Sequence, residues 1–214
     1  MDDRPARRVL QQSSVSSEIR EPKGVFINAP FDDEYEPLFV TLIGVLVFLG
    51  QEPHCVLEVR EQGDGRLARI LDLMRRCRIS IHDLSRVTAP VRFNMPFELG
   101  LACALKLLNP NEYEVLVLDA KAYRLDKALS DYKGRDPLIH DGTSDGLLSC
   151  LLDAFDSTDT PSASDLRKGL RVLTGGVRFL KREVGSHSVF RPSLFRSLVA
   201  LAKVVAIDSE FIRP

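Results

Sequence analysis

The sequence predicts an α/β fold: a parallel sheet of about five strands with helices on both faces, plus a C-terminal helical extension. Three observations carry that expectation. Short apolar runs alternate with segments of helical period over most of the first 156 residues. The best-defined runs close on a polar residue, as at Asn28 and Asp83. Beyond residue 164 the helical period continues without any strand pattern.

The elements follow in order. Residues 1–22 are polar, with Ser13, Ser14, Ser16 and Ser17 at their centre, and read as a flexible arm without a secretion signal. Gly24-Val25-Phe26-Ile27-Asn28 is a buried strand ending in the turn Ala29-Pro30. Asp32, Asp33, Glu34, Glu36 and Pro37 are helix-start signals, and that helix runs to Gly50. His54 to Leu57 is a second strand, and Gly63 and Gly65 make the loop after it. Leu67, Ile70, Leu71 and Met74 recur at helical spacing. Arg78 to His82 is a third strand that closes on Asp83. Met95 to Leu108 is a helix with Phe97, Leu101, Ala104, Leu105 and Leu108 on one face. Glu114 to Leu118 is a fourth strand, and Leu138-Ile139 begins a short fifth one. Thr143 or Ser144 caps a helix through Leu152. This count and alternation describe a flavodoxin-like arrangement over residues 23–156. A Ser-, Thr-, Asp- and Pro-rich linker spans 157–164. The extension, 165–214, holds one helix marked by Leu166, Leu170, Leu173, Val177 and Leu180, with a break expected at Gly175-Gly176, and a second over Leu194–Ile207.

Composition bounds the function. The 214 residues suffice for a core without disulfides or metals. A net charge of -1 argues against a dedicated nucleic-acid binder. That total is a sum of unlike parts. Residues 163–214 carry ten Lys or Arg against four acids, a net of +6, and residues 1–162 carry a net of -7. The most apolar run, Leu38 to Leu49, is about half a membrane span. It reads as a buried helix, so no membrane partner is expected. Cys55, Cys77, Cys103 and Cys150 are widely spaced without metal-ligand spacing, and read as thiols of a reducing cytoplasm.

In an open parallel sheet, ligands bind outside the C-terminal strand ends. The residues there are Asn28 with Pro30-Phe31-Asp32, then Glu58, Asp83, and His140-Asp141-Gly142. Past the third strand come Arg92, Asn94 and Pro96; Pro96 suits a first helical turn, which places Glu98 in that turn near the same rim. A carboxylate in a first turn is favoured in its charged form. Two carboxylates, Asp83 and Glu98, are the usual equipment for cleaving a glycosidic bond through an oxocarbenium-like state. Each residue also has a plainer reading. Glu98 serves the helix dipole, Asp83 caps the next element, Asn28 is a turn residue, and Gly142-Thr143-Ser144 is either a capped helix start or a phosphate rest.

Taken together, Val25-Phe26-Ile27-Asn28-Ala29-Pro30-Phe31, Asp83-Leu84-Ser85 and Asn94-Met95-Pro96-Phe97-Glu98-Leu99-Gly100-Leu101-Ala102 resemble the nucleoside 2-deoxyribosyltransferase superfamily. The same layout is similar to TIR-type domains, whose NAD-cleaving members also use a helical glutamate. The resemblance covers roughly residues 24–142. It implies that Glu98 is the nucleophile and that Asp83 contacts the nucleoside. Asn28, Phe31, Asp32, Arg92, Asn94, Asp141 and Gly142 would bind substrate. Two positions depart from the family: Arg92 stands where many relatives carry an acid, and Phe97 where many carry Tyr. An arginine at that place suits a phosphorylated substrate.

The implied activity is cleavage of the N-glycosidic bond of a nucleotide or nucleotide-like substrate, by hydrolysis or transfer. The implied ligand is a nucleotide or NAD-like small molecule. No cofactor and no metal are expected. A homo-oligomer is expected, since relatives often complete their sites with neighbouring chains. The alternatives are a TIR-like NAD hydrolase and a nucleotide-sensing or assembly module without turnover. The basic extension is the third candidate seat of function, through self-association or a polyanion.

Overall fold

The computed structural model describes residues 24–58, 65–86, 93–129, 132, 136–155, 157, 158 and 160–213. The expected N-terminal arm lies outside them. A five-stranded, wholly parallel sheet has the order β2-β1-β3-β4-β5, with helices around it. The strands are β1 (Gly24–Asn28), β2 (Glu52–Cys55), β3 (Ile79–Asp83), β4 (Glu114–Asp119) and β5 (Leu138–Ile139). The flavodoxin-like α/β fold read from the sequence is the fold of the chain.

β1 lies inside the sheet and is buried along its whole length, as a parallel strand covered on both faces must be. β2 has the expected four residues but lies two positions earlier than the expected His54 to Leu57. It ends at Cys55, and Val56–Glu58 is a 3-10 turn. The Glu58 carboxylate accepts the Cys55 backbone N–H at 2.9 Å, which takes the chain off the ladder. Pro53 is accommodated because β2 is an edge strand.

Helix α1 (Glu36–Phe48) has Pro37 in its first turn and no exposed face beyond it: every residue from Leu38 to Phe48 is buried. A helix that is apolar all round requires cover on all sides. The sheet and α5 (Ser144–Ala154) supply part of that cover, and α6 (Ala163–Glu183) and α7 (Pro192–Asp208) complete it. Gly50, with φ +71°, turns the chain away after α1, as expected of a helix-ending glycine.

On the opposite side of the sheet lie α2 (Arg66–Arg76) and α3 (Asn94–Leu108). Their buried faces differ from expectation. Leu67 is exposed, and α2 buries Ile70, Leu73 and Met74. α3 buries Met95, Glu98, Leu99, Ala102 and Leu105, whereas Phe97, Ala104 and Leu108 face outward. Both stripes of α3 are apolar, so periodicity does not choose between them; packing on β3 and β4 does. A short helix, α4 (Leu125–Ala128), follows β4.

The extension is not a separate surface module. Leu166, Leu173 and Val177 of α6 and Phe195, Leu198, Ala202 and Val205 of α7 belong to the same core as β1 and α1. The break expected at Gly175-Gly176 does not occur, and α6 runs through it. Gly176 is a packing residue: a Cβ there would lie 2.6 Å from Leu201 Cδ2 on α7. No helix of the described residues is long and apolar enough to cross a membrane.

Candidate functional site

The strand order reverses direction between β1 and β3, and the C-terminal ends of those strands flank the crevice where such sheets bind ligands. A cleft of about 40 Å³ opens there, lined by Ile27, Asn28, Ala29, Phe31, Val56, Arg66, Asn94, Met95 and Glu98. Its volume, among the described residues, suits one or two waters. Residues 59–64 and 87–92, which follow β2 and β3 in the chain, lie outside the described residues, and Arg92 is among them.

Glu98 is only 5 % exposed, although it is a carboxylate on an otherwise apolar helix face. Its charge state departs from expectation. α3 begins at Asn94 with Phe93 before it, so Glu98 stands in the second turn and the first turn holds no acid. The helix-end field fades within one turn. Burial therefore dominates and raises the Glu98 pKa above the ordinary glutamate value, with the Arg66 charge and an Asn94 hydrogen bond opposing it.

Asn28 fixes the floor of the cleft. Its side-chain amide donates to His82 Nδ1 at 3.1 Å and to the Met95 carbonyl at 3.2 Å. These two acceptors use both amide hydrogens. His82 Nε2 then lies 3.1 Å from Ser80 Oγ. Burial lowers the His82 pKa to about 3, so the ring is neutral and the Asn28–His82–Ser80 chain is one of neutral hydrogen bonds. It ties β1, β3 and α3 together at the point where Glu98 emerges.

Asp83 is not brought to Glu98. Along β3 its side chain follows Ile79 and Ile81, which pack in the α1 layer, whereas Asn28 follows Phe26 on the α2–α3 side. The Asp83 carboxylate is fully buried on that other side. Tyr35 Oη–H donates to it at 2.5 Å and the Ser85 backbone N–H at 2.8 Å. His140 Nε2 lies 3.1 Å from the same oxygen as Tyr35, a close polar contact without the alignment of a hydrogen bond. The Gly142 N–H donates to His140 Nδ1 at 3.1 Å, which leaves the ring hydrogen on Nε2, toward Asp83. Burial pushes the Asp83 pKa up, but His140, Ser85 and Tyr35 together outweigh it and hold the carboxyl below its ordinary value. The same carboxylate, with burial as the larger cause, drives the Tyr35 pKa well up.

The remaining candidates divide accordingly. Asn28, Phe31 and Asn94 share the cleft with Glu98. Phe31 also stacks edge-on against Phe39, with ring centroids 5.7 Å apart. Asp32 accepts the Tyr35 backbone N–H at 3.0 Å and faces Arg86 at 3.5 Å, so it helps to place Tyr35. Asp141 and Gly142 are exposed, with φ of +52° and +70°, and the Gly142 N–H reaches the cluster through the His140 ring. Thr143, not Ser144, caps α5, accepting the Gly146 N–H at 3.0 Å.

Sequence reasoning passed over Arg66, Tyr35 and His82. Arg66 carried a signal: a cation in the first turn of a helix opposes the dipole and calls for an anionic neighbour. Tyr35 and His82 carried none, because the partners that join them to the site, Asp83 and Asn28, lie 48 and 54 positions away. Among the described residues no group of His, Cys, Asp and Glu has the arrangement of a metal site. No protein-family model matches the chain, and no curated protein matches it.

Proposed function

We propose that the protein cleaves the N-glycosidic bond of a nucleotide or nucleotide-like substrate, with Glu98 as the nucleophile. The observation that carries this reading is a buried carboxylate set among Asn28, Asn94 and Arg66 at the β1–β3 switch point of a parallel sheet. The ionised Glu98 oxygen attacks the anomeric carbon. The carbon–nitrogen bond breaks, the base departs with its electron pair and takes a proton, and a glycosyl ester remains on Glu98. Water or a second base then resolves the ester. The Asn94 amide and the Arg66 guanidinium favour the ionised Glu98 that attacks and that is regenerated when the ester is resolved.

Asp83 has a positioning role in this reading. It ties the end of β3 to Tyr35 and His140, away from the cleft. The resemblance to nucleoside 2-deoxyribosyltransferases supports the assignment of Glu98, and the similarity to TIR-type domains brings NAD into the substrate panel. The test is chromatography for free base after incubation with nucleotides and NAD. Wild type is expected to release base from at least one of them, and Glu98→Gln from none. Release from none by wild type, or equal release by both proteins, overturns the assignment; released nicotinamide marks the NAD hydrolase version.

A second reading is a nucleotide-sensing module without turnover. The water-sized cleft and the separation of Asp83 from Glu98 favour it. Calorimetry would then show nucleotide binding with the ligand recovered intact.

A further inference from the structure

A second, larger concavity lies on the far side of the sheet from Glu98, where α6 crosses the start of α1 and α5. Two hollows of about 690 and 510 Å³ share Thr41, Ser144, Thr174 and Arg178 and so form one groove. Its first hollow has the size of a small-molecule site. Five cationic residues of α6 line the groove: Arg167, Arg171, Arg178, Lys181 and Arg182. Two of them are neutralised within the protein, Lys181 by Glu36 and Arg167 by Asp145. Arg171, Arg178 and Arg182 have no carboxylate partner among the described residues, and Glu36 and Asp145 are the only acids lining the groove among them. The three arginines recur at seven and four residues, so one face of α6 presents them over about 16 Å.

The hydroxyls beside and across from them, Thr174 on α6 and Thr41 on α1, have a definite sense. The Thr174 hydroxyl donates to the Leu170 carbonyl at 2.8 Å. The Thr41 hydrogen is taken by the Pro37 carbonyl at 2.9 Å or Ser144 Oγ at 3.0 Å. Both threonine oxygens therefore remain as acceptors. A ligand that fits must bring anionic oxygens for three guanidinium forks and O–H or N–H donors for the threonines.

We infer that this groove is an accessory binding site for a small polyphosphorylated nucleoside, separate from the Glu98 cleft. Phosphates meet Arg171, Arg178 and Arg182, and sugar or base donors meet Thr41 and Thr174. The volume of its larger hollow, about 690 Å³, favours a small ligand over a nucleic-acid strand. The site also gives the positive charge of the extension a use that a self-contained surface helix would lack.

The test is calorimetry on the full chain at low salt with ATP and with inorganic tripolyphosphate. ATP is expected to bind, less tightly as salt rises, and tripolyphosphate more weakly than ATP. The triple variant Arg171→Ala, Arg178→Ala, Arg182→Ala is expected to bind ATP roughly tenfold or more weakly. Circular dichroism checks its fold, and the single variants Arg178→Ala and Arg182→Ala give smaller losses if it fails to fold. Glu98→Gln is expected to leave this binding unchanged, which separates the groove from the cleft. No heat from either ligand with folded wild type overturns the inference. So does undiminished binding by the folded triple variant, loss of binding in Glu98→Gln alone, or a 20-residue single-stranded oligonucleotide that binds more tightly than ATP.

Discussion

Glu98 and Asp83 are two nearly or fully buried carboxyls with opposite titration. Glu98 has few compensating partners, so burial wins and its pKa rises. Asp83 has three, and they win over burial. The consequence for Glu98 is kinetic. A nucleophile must be ionised, so the acid limb of kcat/KM for base release is expected above the ordinary glutamate range of about 4.3. A limb at or below that value would remove burial as the controlling influence. The consequence for Asp83 is thermodynamic. Its pKa is lowered in the folded state, so its contribution is present above the unfolded pKa and is lost as pH falls through the folded one. Asp83→Ala strands the Tyr35 hydroxyl and the Ser85 amide, and is expected to cost about 2–4 kcal/mol at neutral pH by denaturant unfolding. The gap between variant and wild type is expected to narrow below about pH 4; a constant gap would contradict the sign argued here. Asp83 was legible as a strand-end carboxylate, but its partners were not, since Tyr35 and His140 lie 48 and 57 positions away.

The helices show two kinds of glycine. Gly146, in the first turn of α5, sits so that an added Cβ would meet the His140 carbonyl oxygen at 2.3 Å. That neighbour is backbone and cannot swing aside. Gly146→Ala is therefore expected to destabilise by about 2–3 kcal/mol and to disturb the His140 contact with Asp83. Gly175 lies mid-helix in α6 with nothing within 4 Å of its Cβ position. Gly175→Ala is expected to stabilise by about 0.5–1 kcal/mol. Thermal melts of the two variants should move in opposite directions, and a fall for Gly175→Ala would refute the reading of α6 as an unstrained, continuous helix. The elements themselves were largely legible from periodicity and capping signals. The register of α3 was not, because an apolar residue occurs on almost every side of it and only the neighbouring strands select Met95, Leu99, Ala102 and Leu105 for burial.

The whole molecule depends on the extension. α1 is covered on its outer side by α6, α7 and the residues just after α7: Phe39 meets Phe195 with ring centroids 6.1 Å apart, Phe48 meets Phe211 at 5.2 Å, and the Gly44 notch receives Leu173 and Leu170. A chain ending at residue 162 would expose this surface, at about 1.5–3 kcal/mol for each large side chain uncovered. It is expected to aggregate, or to lose near-ultraviolet circular dichroism while keeping helical signal. A folded, soluble truncation would show that the α/β unit stands alone. The charge split takes on a spatial meaning as well. The apolar faces of α6 and α7 point into the core, and the α6 arginines without a carboxylate partner among the described residues border the groove beside the start of α5.

The sequence by itself determined the α/β class, the order of strands and helices, the burial of α1 and the location of the candidate rim. These follow from local pattern: apolar period, capping residues and the polar residue that closes a strand. The tertiary structure alone decided which candidates meet. Side chains alternate across a sheet, so two strand-end residues on one rim can serve opposite layers, and Asp83 and Asn28 do so. Pairing across long sequence separation decided the rest: Arg66 beside Glu98, Tyr35 and His140 on Asp83, and a groove between a helix of the extension and the first helix of the sheet.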